Sequence, residues 1–315
     1  MALKYQKIAK KPKLFQKLTT LALQEFEILA DKLQPEWETT EYRRKADRTD
    51  RKNAVGQGHP YFADFPTLLL LMVCYVKTGC GNLLLCLVFG IDERTLYDLL
   101  PKLLPLLQDR FVPNTILTSQ GKRRKVRARI HSLDDLLKEY PELKSVIADG
   151  TDILTRRPKR RQKKNYSGKS KKHSKKTVLL VNSQDGLIVA KTKLRPASVH
   201  DKRVLEEDPL HKRLDAATDL EKRADSAWTG ENPANGWLVN KKAVRGHPLT
   251  EIDKADNRKL SKIRIGVEHA IRRVKVFQRI GQKTTFRLKD RLDEVLNVAI
   301  NLANFKQLMR HPITA

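Results

Sequence analysis

The chain has 315 residues, 40% of them hydrophobic, and carries 64 Lys and Arg against 36 Asp and Glu, a formal net charge of +28. That length allows one large domain or two ordinary ones, and the apolar share supports a real core. Charge of this size repels itself unless a polyanion offsets it; nucleic acid is the simplest such partner, whereas a ribosome-like coating protein would be shorter and less apolar.

Residues Lys4–Lys13 read as a basic, frayed tail. The stretch Leu21–Leu33 reads as a helix, with Phe26, Leu29 and Leu33 at helical spacing and Leu21 placed to staple against Phe26. Pro35–Pro60 is polar, charged and rich in breakers, the pattern of an exposed connector with Trp37 pinning one end. A helical block follows. Pro66 opens a helix over Thr67–Lys77, Gly79-Cys80-Gly81 breaks it, Asn82 caps a second over Leu83–Phe89, and Asp92 caps a third that starts at Glu93. The third should bury Leu96, Leu99 and Leu100 and present Glu93, Arg94, Tyr97 and Asp98. Two short helices around a glycine turn outline either a helix-turn-helix, whose second helix reads base edges, or an ordinary helical hairpin. The two acids on the presented face count against tight DNA contact.

The longest apolar zone, Phe65–Ile91, is divided by Lys77 and the glycines into pieces short of the ~18 residues a spanning helix needs, so no membrane segment is expected. Cys74, Cys80 and Cys86 lie in apolar sequence without short paired spacing or nearby histidines, and read as buried free thiols in a reducing compartment. The start, Met1-Ala2-Leu3-Lys4, lacks a secretory h-region, so a cytoplasmic protein is expected.

Gly121–Arg129 is a basic linker without an acid, and Ser132 can cap a short helix over Leu133–Tyr140. Strands then take over. Ser145–Asp149 is the first, Thr177–Val181 the next; Gln184-Asp185-Gly186 turns the chain into a return strand over Leu187–Leu194. Ser198-Val199-His200-Asp201 starts a helix through about Glu207. Asp219–Ala224 is polar and is assigned as a strand by its position, and Trp237-Leu238-Val239 is a further short one. Two long helices, Glu251–Phe277 and Lys289–Arg310, finish the chain. The order is that of a mixed α/β layer fold. The expected organisation is a helical N-terminal domain over residues 1–120 with the helix-turn-helix at about 67–108, a linker over 121–131, and a second domain over 132–315.

Three acids stand out. Asp149 ends the apolar run Val146-Ile147-Ala148, Asp225 follows the Asp219–Ala224 strand, and Glu268 lies in the helix Ile263–Phe277. Acids at element ends in a basic chain suggest a divalent-metal site acting on a polyanion. Mg²⁺ takes oxygen ligands and keeps several waters, so few carboxylates suffice, and two ions serve the attacking and leaving oxygens of a phosphodiester. Each acid has a plainer reading: Glu268 has Arg264 and Arg272 four residues to either side, and Asp149 and Asp225 suit strand ends. Asp152, Asp201 and Asp219 compete, although Asp152 would face away from Asp149 on a strand. Between Arg156 and Lys176 lie twelve Lys or Arg and no acid. The stretch reads as a solvated loop or as a phosphate clamp, with Arg157, Lys159, Arg160, Arg161, Lys169 and Lys172 on phosphates and Tyr166 stacking on a base.

Several segments in this order resemble the DDE transposases of bacterial insertion sequences, in the IS-five family and its Harbinger-related branch. They are Asp149-Gly150-Thr151 leading to Arg157-Pro158, Tyr166-Ser167-Gly168-Lys169 with Lys172-His173, Ser198-Val199-His200-Asp201, Ala224-Asp225-Ser226 with Gly230, and Ser261-x-x-Arg264-x-x-x-Glu268 reaching Lys275. Trp228 stands where a tyrosine is more usual, and Ser261 where some relatives carry tyrosine. The resemblance implies an RNase H-like catalytic domain behind the helix-turn-helix, with Asp149, Asp225 and Glu268 as a metal-binding catalytic triad and Arg264 and Lys275 on DNA phosphates. It implies two Mg²⁺ ions, with Mn²⁺ able to substitute, cut-and-paste transposition on terminal inverted repeats and target DNA, a homodimer or larger paired-end complex, and a nucleoid-associated bacterial protein. The alternatives are a catalytically silent DNA-binding regulator derived from such an enzyme, and a host DNA endonuclease.

Overall fold

The computed structural model describes residues 2–49, 63–108, 115–117, 123–125, 143–225, 228, 233–243, 248–284 and 289–310. Its contacts divide the chain into two compact units, Met1–Arg110 with Phe277–Arg279, and Phe111–Val276 with Ile280–Ala315.

The first unit is helical: α1 (Tyr5–Ile8), α2 (Pro12–Thr19), α3 (Leu23–Ala46), α4 (Phe65–Thr78), α5 (Asn82–Phe89) and α6 (Glu93–Leu107). The expected frayed tail is ordered. Tyr5 stacks on Phe26 at 5.2 Å, Phe15 meets the same ring edge-on at 5.1 Å, and Ile8 and Phe15 are buried. The cations hid this, because aromatic side chains can seat a short helix while its lysines stay in water. The expected connector after Pro35 is also corrected. Helix α3 runs through Pro35 to Ala46, and residues 50–62 lie outside the described part. Interior proline costs a helix about 3 kcal/mol. Offsetting it, Trp37 is buried and stacks on Phe65 at 6.0 Å, and Arg44 grips Glu41 with two hydrogen bonds of 2.9 and 2.8 Å.

The block from α4 to α6 follows the sequence closely. Asp64 caps α4 by accepting from Thr67 N–H at 3.1 Å, and Asp92 caps α6 through Thr95 N–H at 2.6 Å. Leu96, Leu99 and Leu100 are buried, while Arg94, Tyr97 and Asp98 are exposed. Asn82 does not cap α5; Gly81 holds that position, and the Asn82 amide donates to Tyr97 Oη at 3.1 Å. Arg279 lies over the Tyr75 ring at 3.8 Å and donates to the carbonyl oxygens of Tyr75 and Cys80.

The second unit is a mixed α/β layer structure. A two-stranded ladder pairs β1 (Thr115–Leu117) with β2 (Arg123–Lys125). The rest of the 121–131 linker and the expected 133–140 helix lie outside the described residues. The main sheet has seven strands: β3 (Ser145–Leu154), β4 (Tyr166–Ser167), β5 (Lys172–Asn182), β6 (Ile188–Lys191), β7 (Arg195–Pro196), β8 (Glu221–Ala224) and β9 (Trp237–Val239). Its spine runs β4-β5-β3-β8-β9, with β6 and β7 also on β5. Strand β3 is antiparallel to β5 and parallel to β8, and β8 is parallel to β9. Both β3 and β5 exceed their expected lengths, because their polar ends pair with each other, Thr151 with Thr177 and Asp152 with Lys176. The return strand β6 is shorter than expected.

Helices α7 (Asp201–Glu206) and α8 (Pro209–Ala216) cover one face of this sheet. Val146, Ala148, Val178 and Leu180 meet Val204 and Leu214 there. Helix α9 (Glu251–Lys275) packs on the other face, where its Gly266 lies against Ile147. The short α10 (Gln278–Gly281) and the long α11 (Lys289–Arg310) follow. Trp228 and Trp237 are buried and stack at 5.9 Å.

Candidate active site

Asp149 and Asp225 are brought level by strand register. Strand β8 pairs with β3 from Ser145↔Glu221 to Ile147↔Arg223. Carried two residues on, the same register would bring Asp225, just past the end of β8, level with Asp149. This is the carboxyl end of a parallel pair, where open α/β sheets bind ligands. Side chains alternate across a strand, so Asp149 shares the face of Ile147, which is the face covered by α9.

Arg264 reaches down from α9 to both acids. Its Nη1 lies 3.2 Å from Asp225 Oδ1 and its Nη2 4.0 Å from Asp149 Oδ2. The simple helix pairing of Arg264 with Glu268 is therefore not what its guanidinium makes. Asp149 takes one further bond, from Gly150 N–H to Oδ1 at 2.8 Å. Burial pushes the Asp149 carboxyl above the usual range, opposed by Arg264 and that bond and reinforced by Asp201 and Asp225. Lys275 is exposed, yet neighbours crowding its ammonium lower its pKa, while Asp152 and Asp149 pull the other way.

Glu268 is exposed. It lies on the stripe of α9 marked by Arg264 and Lys275; Arg264, Asp201 and Asp225 act on the Asp149 carboxyl, which in turn acts on the Lys275 ammonium. Among the described residues no three His, Cys, Asp or Glu side chains gather at metal-holding spacing. The site thus collects two of the three predicted acids and holds them with a guanidinium. The donor set still suits a divalent cation that prefers oxygen, since Asp149 and Asp225 are adjacent carboxylates of which the more buried is short of hydrogen bonds.

The basic stretch is built structure. Arg157 bonds Gln162 Oε1 twice, at 2.9 and 2.7 Å. Buried Asn165 donates to Arg161 O at 3.1 Å and accepts from Lys175 Nζ at 2.7 Å. Arg157, Lys159, Arg160, Arg161, Lys169 and Lys172 are exposed around this frame, and Tyr166 is exposed edge-on to His173 at 5.5 Å. Arg94 and Tyr97 belong to the first unit, exposed on α6.

Two charged residues were not singled out from the sequence, one away from the acids and one beside them. Lys222 in β8 is 0% exposed and donates to the carbonyls of Ala217 and Asn235. Asp201, weighed above only as a competitor, lies against Gly150 beside Asp149. Its Ser198–Asp201 motif was the available signal; Lys222 had none, since a lysine in a polar run looks solvated.

Residues 148–304 match the family described as DDE superfamily endonuclease. Through that region the chain belongs to the DDE superfamily endonucleases. The match begins next to Asp149 and takes in Asp225, Arg264 and Glu268. A probable transposase for insertion sequence element IS702, from Microchaete diplosiphon, is 30% identical over 144 residues, 45% of this chain and 50% of that protein. The aligned part thus spans about half the length of that relative. A crystal structure of a pre-cleavage Mos1 transpososome aligns at 11% identity and a TM-score of 0.15, over 87% of this chain and 85% of that one, a score that supports no argument about the DDE domain's fold. No described helix is long and apolar enough to cross a membrane.

Proposed function

We propose that the chain is the transposase of an insertion sequence, cutting DNA at the element's ends and joining them to a target. The observation that carries this reading is Arg264 of α9 reaching both Asp225, at 3.2 Å, and Asp149, at 4.0 Å, where β8 runs parallel to β3. In this reading residues 132–315 form an RNase H-like DDE domain, residues 121–131 a linker, and residues 1–120 a DNA-binding domain whose helix-turn-helix presents Arg94 and Tyr97. Asp149, Asp225 and Glu268 are the ligands of two Mg²⁺ ions, or of Mn²⁺ in their place. When bound, such ions supply charge neutralisation on the attacking and leaving oxygens of a phosphodiester. Asp149 and Asp225 fix the position of that charge from rigid strands. Arg264 and Lys275 hold the flanking phosphates, and the cationic frame of residues 156–176 holds the DNA beyond them. Water attacks first, and the freed 3′-hydroxyl then attacks the target strand. The assembly is a homodimer or larger on paired ends, at the bacterial nucleoid.

The test is a Mg²⁺-dependent cleavage assay on DNA carrying the element's own ends. Asp149→Asn, Asp225→Asn and Glu268→Gln each abolish cutting and leave end binding largely intact. Cutting that survives any one of them removes that residue from the triad. The exposed Glu268 favours one second reading, a DNA-binding regulator without cleavage. Wild-type protein that binds the ends and never cuts them would establish it. Cutting without strand joining would instead mark a host endonuclease.

A further inference from the structure

On the far face of β3 from Arg264, Asp201 stands at the first turn of α7, with His200 as its cap residue. Its carboxylate lies where a side chain at residue 150 would be. A Cβ built on Gly150 would come within 2.4 Å of Asp201 Cγ and 2.7 Å of both carboxylate oxygens. Any larger residue would displace the Asp201 carboxylate, so the glycine serves close approach, not an unusual backbone angle. Lys176 of β5 fastens the carboxylate, with Nζ 2.8 Å from Oδ1, and the same Nζ donates to Val199 O at 2.9 Å. Asp201 Oδ1 is buried and takes no well-aligned hydrogen bond.

Gly150 is also the residue whose N–H holds Asp149 Oδ1. One residue is therefore flanked on both sides: Asp149 accepts from its N–H, and the Asp201 carboxylate fills the space where its side chain would stand. We propose that Asp201, held by Lys176, is a positioning residue that fixes the Gly150 peptide and so the direction in which Asp149 offers its carboxylate to a divalent ion. This rests on the metal-binding role proposed for Asp149. Residues that orient a metal ligand in this way typically change affinity by about 10–100-fold when removed.

The experiment titrates Mn²⁺ into the full chain without DNA, by calorimetry, alongside melting temperature and end-binding affinity. Asp201→Ala weakens Mn²⁺ binding by about tenfold or more and leaves DNA affinity within about twofold. Gly150→Ala, which removes no charge, has the same effect by displacing Asp201. Asp201→Asn keeps the shape and an acceptor for Lys176, and stays within about threefold of wild type. Wild-type Mn²⁺ affinity in Asp201→Ala or Gly150→Ala overturns the proposal. So does a loss in Asp201→Asn as large as that in Asp201→Ala, which would make the charge, not the fit, the working property. Should Asp201→Ala not fold, Gly150→Ala and Asp201→Asn decide alone. Asp149→Asn run in parallel separates the two readings. If it too binds Mn²⁺ normally, the metal site itself is misassigned; if it loses binding while Asp201→Ala does not, only the positioning role fails.

Discussion

Strands β3 and β8 lie side by side, and each buries one charged group to a different end. Lys222 in β8 is fully enclosed, and its ammonium meets two carbonyl oxygens, of Ala217 and Asn235. Asp149 in β3 is largely enclosed too, but has one N–H and a guanidinium at 4.0 Å, with two other acids near it. The Lys222 ammonium meets two acceptors with its three donors, although burial still lowers its pKa. The Asp149 carboxylate has fewer partners, and in the proposed reading a divalent cation would fill that shortfall.

The sharpest way to break that comparison is to remove each charge and measure different things. Asp149→Asn lowers the cutting rate by about 10³-fold or more, several kcal/mol of transition-state stabilisation. Its melting temperature holds or rises, with a gain of up to about 1 kcal/mol. Lys222→Met does the reverse in urea unfolding, costing about 1–3 kcal/mol because the carbonyl oxygens of Ala217 and Asn235 lose the ammonium that donates to them. A destabilised Asp149→Asn with an indifferent Lys222→Met would invert the assignment of roles.

Asp185 sharpens the comparison as an intermediate case. Burial raises its carboxyl to about 6, although Leu187 N–H and the Asn182 amide both donate to it. The fold prefers the neutral acid. Its contribution is therefore complete below the unfolded pKa near 4 and is lost as pH rises to about 6. Asp185→Asn should flatten the stability profile across that window by about 2 kcal/mol, after allowance for solvent screening, as read from urea midpoints at pH 4 and pH 7. An unchanged profile would mean that its hydrogen bonds satisfy the charge fully. The smallest effect concerns charges that are not buried. Replacing Lys159, Arg160 and Arg161 by alanine should reduce the salt slope of DNA binding by about 2–3, and an unchanged slope would place these side chains off the DNA.

The sequence was readable where periodicity and caps carry the information. The helices of residues 65–107, the strands Ser145–Asp149 and Trp237–Val239, and both long C-terminal helices all lie where pattern put them. It was unreadable where a partner distant in the chain decides the outcome. Tyr5 and Phe15 order the basic N-terminus through Phe26, and Trp37 steadies a proline-containing helix through Phe65. Both partnerships outweigh local composition. At the site, the acids were legible as types, and the level placing of Asp149 and Asp225 needed the register. The approach of Asp201 to Gly150 crosses from helix to strand and leaves no periodic trace.

Arg264 spans Asp225 and Asp149 from α9. In the proposed reading, a DNA phosphate and the two carboxylates would compete for that guanidinium, and a divalent ion lodged between the acids would free it for the backbone. Uptake of the ion and of DNA would then be mutually reinforcing.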